Sequence, residues 1–505
     1  MARNGLIGKR TMRGLGALAA ALLAAMPLRA AASPALDEIL PVAAIRADFA
    51  DLYRRLQIAH FNLYARAARP AYDRLYRTNL AAITRPESRV EAARRFQRFV
   101  AFGRVAHARI DTAYQAWRAY LEGGGGAFPL NLRVVNGRAF VVADSSGTGA
   151  VAIGDQVVAL DGRPIGEWLA RARRNLSADT DYMANALLEL DLPMLLWLET
   201  GPRPSYRLRL RRANGGLADV TIPARTREQM RSAAAAQPPR LDLSGRSARM
   251  IGAIAYLRPG PFYNATPGAA DPYDNSGFRR FADEAFERFL AADAQSLIVD
   301  LRDNPGGDSS FSDLVVSWFA TRPYRFNSAF RIRVSAEAVA ANEARLAASA
   351  GPGAEVSRRF AALYARTAPG GIATFETPLT PPRQGRRFAG PVYVLVNRNS
   401  FSNAVAVAAT IQDYRFGTIL GEETSDLATT YGAMESFTLP RTGLVVGFPK
   451  AAIVRPNGDL RPRGVVPDIA IETPLLEGPD DPVLRRALAL AAAQSRSARR
   501  QDGQR

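Results

Sequence analysis

Two stretches of this 505-residue chain run from an apolar strand into a tight turn and then a helix, and that repeated order leaves few folds open. The first is Leu297-Ile298-Val299-Asp300-Leu301-Arg302-Asp303-Asn304-Pro305-Gly306-Gly307. Its paired glycines reach positive φ without a Cβ clash and turn their amides outward, making a nest that can hold an anion. The second is Val392-Tyr393-Val394-Leu395-Val396-Asn397-Arg398-Asn399-Ser400-Phe401-Ser402-Asn403-Ala404-Val405. Here the strand meets a short connection, and Ser402 falls at the start of the next helix. If the two strands belong to one parallel region, both turns open at the same sheet edge, where α/β ligand sites gather. A serine there stands in the field of a helix N-terminus, beside free amides able to stabilise an oxyanion.

The rest of the chain fits around that unit as a multi-domain α/β protein. Strands are expected near 251–257, 296–301, 392–396, 418–420 and 444–448, with helices near 278–290, 311–320 and 403–412 between them, a mixed α/β layer. An Ala- and Arg-rich helical stretch at 322–387 reads as an insertion over one face. Upstream, residues 33–126 are helical: Ile45, Phe49, Leu52 and Leu56 recur at spacings of three and four, on one buried face. Thr84-Arg85-Pro86-Glu87 reads as a capping box opening a helix that carries Phe96, Phe99 and Val100 inward. The run Gly123-Gly124-Gly125-Gly126 marks a joint, and Pro238-Pro239 a second.

Between the joints, residues 127–226 are β-rich. Strand and hairpin material at 132–142 precedes Val151-Ala152-Ile153-Gly154-Asp155-Gln156-Val157-Val158-Ala159-Leu160-Asp161-Gly162, a strand, a Gly-Asp turn, a second strand and an Asp-Gly turn. That order is similar to the core of a PDZ domain, closed by Tyr206-Arg207-Leu208-Arg209-Leu210-Arg211 and a strand around Val220. Such domains bind a peptide terminus as an added strand. Residues 227–480 then form the α/β domain that holds both strand-turn-helix units, and 481–505 a helix end followed by a basic, disordered tail.

The amino terminus carries Arg3, Lys9, Arg10 and Arg13 before an apolar run from Leu15 to Leu28 and the small residues Ala30-Ala31-Ala32. This is the layout of a secretory signal peptide over 1–32, too short to span a bilayer, so the mature chain is expected in the periplasm or secreted, without a membrane span. Removing its five basic residues lowers the net charge from +19 to +14. The remaining arginines are scattered, with no basic stripe interleaved with aromatic residues, so a nucleic-acid partner is not expected.

Composition then limits the chemistry. There is no cysteine, lysine occurs only at Lys9 and Lys450, and histidine only at His60 and His107. With the leader gone, a catalytic base other than a carboxylate or tyrosine must be His60, His107 or Lys450. No metal or other cofactor is expected, because two distant histidines and no thiolate make no ligand cluster.

Four motifs in order carry a family resemblance: Asp300-Leu301-Arg302-Asp303-Asn304-Pro305-Gly306-Gly307, Asn399-Ser400-Phe401-Ser402, Gly421-Glu422-Glu423-Thr424 and Gly464-Val465-Val466-Pro467-Asp468. The chain resembles the tail-specific (C-terminal-processing) serine peptidases, which have a catalytic domain of the ClpP/crotonase-like type and a PDZ domain between it and a helical segment. The resemblance implies Ser402 as nucleophile, with Ser400 as its competitor, and Gly306 or Gly307 with Asn403 as oxyanion-hole donors.

Members with a Ser-Lys dyad carry lysine soon after the Gly-Glu-x-Thr turn, where this chain reads Ser425-Asp426-Leu427-Ala428. The branch resembling the tricorn core peptidase instead uses a histidine ahead of the PDZ domain, which points to His107. Its orienting glutamate precedes the Gly-Val-x-Pro-Asp motif. Here Arg461 stands there, and Glu435 is the nearest replacement. The expected activity is hydrolysis of unfolded polypeptides or their C-terminal segments through an acyl-enzyme. The alternative is an inactive relative that binds a peptide or a lipophile.

Overall fold

A computed structural model describes residues 38–235, 245–266, 268–269, 271–348, 352–475 and 480–502. The expected leader and the Pro238-Pro239 joint lie outside the described residues.

The central sheet has six strands in the order Ser247–Ile251, Ile254–Arg258, Ser296–Asp300, Val392–Val396, Thr418–Gly421 and Ile469–Ala470. The first pair is antiparallel and every later pair parallel. Leu297 pairs with Val392 and Asp300 with Leu395, so the two strand-turn-helix units are neighbours and their turns share one edge. Both strands are buried along their whole length, as expected of parallel strands covered on two faces. One face packs Phe262, Phe278, Phe286, Phe289 and Trp318. The other packs Ile298, Tyr393, Leu395 and Leu420 against Val483, Ala487 and Ala491 of the last helix.

That helix, Pro482–Asp502, continues through most of the stretch expected to be a disordered tail. Its apolar row lies on the sheet, and the Tyr393 hydroxyl hydrogen bonds Gln494 Oε1 at 2.6 Å, so the helix is anchored up to the start of that stretch. Among the described residues no helix is long and apolar enough to cross a membrane.

A second sheet crosses the molecule in the order Ile372–Thr374, Ala329–Arg333, Val445–Val454 and Thr430–Thr438, with the short strand Arg109–Ile110 pairing onto Val446 and Gly447. The 322–387 stretch is therefore more than helical. Beside the helices Ala336–Ala348 and Pro352–Ala365 it contributes two strands to this sheet. The strand expected at 444–448 also belongs here and not to the central sheet.

The amino-terminal helices Val42–Ala59, Arg69–Ala82 and Arg89–Ala101 share one core with Phe437, Leu439, Leu444, Val446 and Phe448 of the second sheet. The third of these starts later than the sequence suggests. Glu87 and Ser88 pair with Leu40 and Ile39 as strand, so the capping box is Ser88 with Glu91, whose side chains each satisfy the other's backbone N–H.

The inserted sheet, between the helical segment and the central sheet, runs Leu130–Val135, Arg138–Asp144, Gln156–Leu160, Ser205–Arg211 and Leu217–Pro223, antiparallel throughout. Residues 151–153 are a turn rather than a strand, held by Ala152 N–H donating to Asp155 Oδ2 at 2.8 Å. The sheet is backed by the helices Ile165–Arg173 and Asp181–Thr200, and by Ala113, Trp117 and Leu121 from the preceding helix Asp111–Glu122. It docks on the central sheet through Glu189, paired with Arg398 at 2.9 Å, and through the Tyr182 hydroxyl, which donates to the Glu423 carbonyl at 2.9 Å.

Candidate active site

The two turns at the shared sheet edge are tied to each other atom by atom. Phe401 N–H donates to the Asn304 carbonyl at 2.9 Å, and the Asn397 and Asn399 side chains both donate to Asp303 Oδ1. Ser400 is wholly buried; its hydroxyl donates to the Leu301 carbonyl at 2.8 Å and accepts from Asn397 N–H. Both capacities of that hydroxyl serve the scaffold, which removes Ser400 as a competing nucleophile.

Ser402 is different. It occupies the N-cap of the helix Asn403–Asp413 at φ 52° and ψ −122°, and its side chain makes no capping hydrogen bond. A non-glycine residue held there carries strain of roughly 1–3 kcal/mol, which the surroundings must impose. One restraint is visible: Ser402 N–H donates to Asp426 Oδ2 at 2.6 Å. The strand-to-helix turn thus fixes the serine backbone and leaves the hydroxyl uncommitted.

Glycine is required opposite. At Gly306 a Cβ would come within 2.8 Å of the Ser402 Cβ and 2.7 Å of the Asn403 nitrogen, and at Gly307 within 2.2 Å of the Phe262 carbonyl oxygen. The Gly306 N–H is occupied by Asn304 Oδ1 at 2.9 Å, so it cannot serve an oxyanion; of the two glycines expected as donors, Gly307 is the one that remains. Asn403 is the first residue of its helix, where the N–H has no intrahelical acceptor. Its side chain is held by Ser312 Oγ at 2.9 Å.

His107 reaches this edge from nearly three hundred residues upstream of Ser402 because the Arg109–Ile110 strand adds to the second sheet. Its ring packs on Phe401, the neighbour of Ser402, with centroids 5.8 Å apart. Burial lowers its pKa to about 4, against the opposing field of Asp179, so the imidazole is a neutral base at neutral pH. Nδ1 is buried without a hydrogen-bond partner. Among the described residues no hydrogen bond joins the ring to the Ser402 hydroxyl.

Over the same span, residues 256–471 match the model of peptidase family S41. The chain carries an S41 peptidase domain. It is accordingly a serine-type peptidase. Mature CPAF complexed with lactacystin is similar over 85% of this chain and 94% of its own, at 15% identity and a TM-score of 0.62. Mature CPAF alone is similar over 85% and 92%, at 15% identity and a TM-score of 0.57. Likeness at these identities shows the fold. The photosystem II D1 C-terminal processing protease aligns over 85% of this chain at 16% identity with a TM-score of 0.44. No curated protein matches the chain.

The S41 domain does not bring Glu435 to His107. Glu435 is buried in an ion cluster, with Lys450 Nζ at 2.5 Å and Arg345 on both of its oxygens, and this corrects its expected role as the orienting acid. Lys450 is held in the same cluster over the Phe360 ring, and burial lowers its pKa. His60 caps the helix Val42–Ala59, its Nδ1 accepting from Asn62 N–H at 3.1 Å, and burial takes it to about pKa 3. Asp468 holds Ile419 N–H and Gln412, and Arg461 pairs with Asp459.

Two carboxylates that the sequence reading missed stand beside the S41 site. Asp426, wholly buried, accepts both Ser402 N–H and Leu427 N–H; burial pushes it up to about 6 although both bonds favour its charge. It lies in the segment searched for a dyad lysine, and the motifs hold it there: Thr424 Oγ1 donates to the Asp426 carbonyl and accepts from Val465 N–H. Asp179 accepts Ala106 N–H at 3.0 Å, and burial raises its pKa. It sits in the inserted segment, over seventy residues from His107, and nothing in its flanks announces it.

Proposed function

We infer that this peptidase works through an acyl-enzyme. Ser402 Oγ attacks the scissile carbonyl while its proton passes to His107, and the oxyanion is held by the N–H groups of Gly307 and Asn403. His107 then protonates the leaving amine, and water, activated by the same imidazole, hydrolyses the ester. The observation that carries this reading is the strained, uncapped Ser402 at a helix N-terminus, next to a ring packed on its neighbour Phe401.

The substrates in this reading are unfolded polypeptides or C-terminal segments, engaged by the inserted sheet as a PDZ-like module that adds a peptide strand. The setting is the cell envelope, reached by the amino-terminal leader. The direct test is a fluorophosphonate probe with casein as substrate. Wild type becomes labelled and cleaves, whereas Ser402→Ala does neither. Cleavage retained by Ser402→Ala would move the nucleophile elsewhere. Sequencing the amino terminus of exported protein tests the leader, with a start near Ser33 expected.

A further inference from the structure

A histidine base needs its ring held and its developing charge compensated; Glu435, bound by Lys450 and Arg345, does neither. The charged groups acting on His107 are few. Arg109, two residues on, disfavours its protonated form, while Asp179 and the Tyr431 backbone favour it. Asp179 itself faces Arg66 at 3.4 Å and the field of Asp426. Its side chain is 1% exposed. Oδ2 accepts Ala106 N–H, the amide of the residue immediately before the histidine.

We propose that Asp179 is the positioning carboxylate of this active site, fixing the Ala106–His107 backbone and facing the imidazolium that forms when His107 takes the Ser402 proton. The proposal rests on the assignment of Ser402 and His107 made above. It also gives the inserted segment a chemical part in the reaction. Asp179 lies in the connection between the helices Ile165–Arg173 and Asp181–Thr200. Thr180 caps the second helix by accepting Met183 N–H at 3.1 Å, and two contacts from that helix, Tyr182 with Glu423 and Glu189 with Arg398, lock it to the nucleophile side. A carboxylate delivered by a docked segment makes the site complete only while that segment is seated.

The balance of the step is simple. The proton leaves Ser402 Oγ for the imidazole, the imidazole becomes cationic, and Asp179 remains ionised opposite it. Charge is separated between the oxyanion and the imidazolium, each beside a fixed group of opposite sign.

Histidine NMR and acylation kinetics test this together, because His60 and His107 are the only two histidines and His60→Gln assigns them. In Asp179→Asn the His107 titration midpoint moves to lower pH, and the acid limb of the fluorophosphonate acylation rate moves with it. The rate at neutral pH falls on the order of 10–100-fold, the effect of a misplaced base. Asp179→Glu restores the midpoint. Should Asp179→Asn fail to fold, Asp179→Ser, uncharged and still able to accept Ala106 N–H, carries the same two readouts. An unmoved His107 midpoint in a folded variant, or a lower rate with an unshifted limb, overturns the proposal. Labelling of wild type that survives His107→Ala instead sinks the base assignment, and the NMR midpoint still reports on Asp179 independently.

Discussion

Two of the buried groups of ionisable side chains in this molecule are built on opposite principles. In the first, Glu435 accepts from Lys450 and from both arms of Arg345, and every charge has a partner at hydrogen-bond distance. In the second, His107 has a buried, unpartnered Nδ1, and both nearby carboxylates, Asp179 and Asp426, are raised by burial in spite of their backbone N–H donors. A satisfied buried cluster holds structure in place and resists titration. An unsatisfied one stores unfavourable free energy that a proton transfer can release, which is why perturbed groups gather at reactive sites. The comparison shows why chemical type alone does not locate an active site: the only lysine of the described residues sits in the inert cluster.

The largest effect that sharpens this contrast is expected from His107→Ala. Turnover falls by roughly 10²–10⁴-fold, the usual contribution of general-base assistance, while the melting temperature stays near that of wild type. Turnover above a tenth of the wild-type value would dissolve the distinction. Glu435→Gln should give the reverse pattern. It leaves Lys450 and Arg345 buried against a neutral side chain, which costs about 3–5 kcal/mol of stability. Activity per folded molecule is unchanged. Chemical denaturation paired with active-site titration separates the two quantities, and a loss of activity without a loss of stability would return Glu435 to the active site.

The sequence carried the central sheet well. Apolar runs bounded by glycine and serine turns state both the strands and their shared edge, and the positions of Ser402 and Gly307 follow from local chain geometry. What it did not carry depends on contacts between distant segments. The capping box slipped to Ser88 because pairing of Glu87 with Leu40 consumed the earlier candidate. The helix that runs on past residue 495 is anchored earlier, through Val483, Ala487 and Ala491, on a sheet whose strands lie far upstream. The same holds for the acids. Glu435 lies near the motifs in sequence, but its partner Arg345 comes from a helix with no motif at all. Asp179 became visible only through an amide seventy-three residues away.

The smallest test concerns the two histidines, which are alike in burial and unlike in surroundings. His60 Nδ1 accepts from Asn62 N–H, its Nε2 is buried without a partner, and it faces the cation Arg333 with no carboxylate acting on it, so its surroundings disfavour the charged form. With a folded pKa of about 3 against the usual 6.5, it contributes stability that is present above pH 6.5 and is lost as pH falls toward 3. His60→Asn removes that titration while leaving a side-chain acceptor for Asn62 N–H. The drop in unfolding free energy between pH 7 and pH 4.5 should therefore shrink in the variant, on the order of 1–3 kcal/mol, with neutral-pH turnover per folded molecule unchanged. Asp426 and Asp191, both raised to about 6, oppose this trend, since their contribution is lost as pH rises through 6. They are common to both proteins, so the difference isolates His60. An identical acid dependence in wild type and variant would mean that His60 is not the acid-sensitive element of the amino-terminal helices.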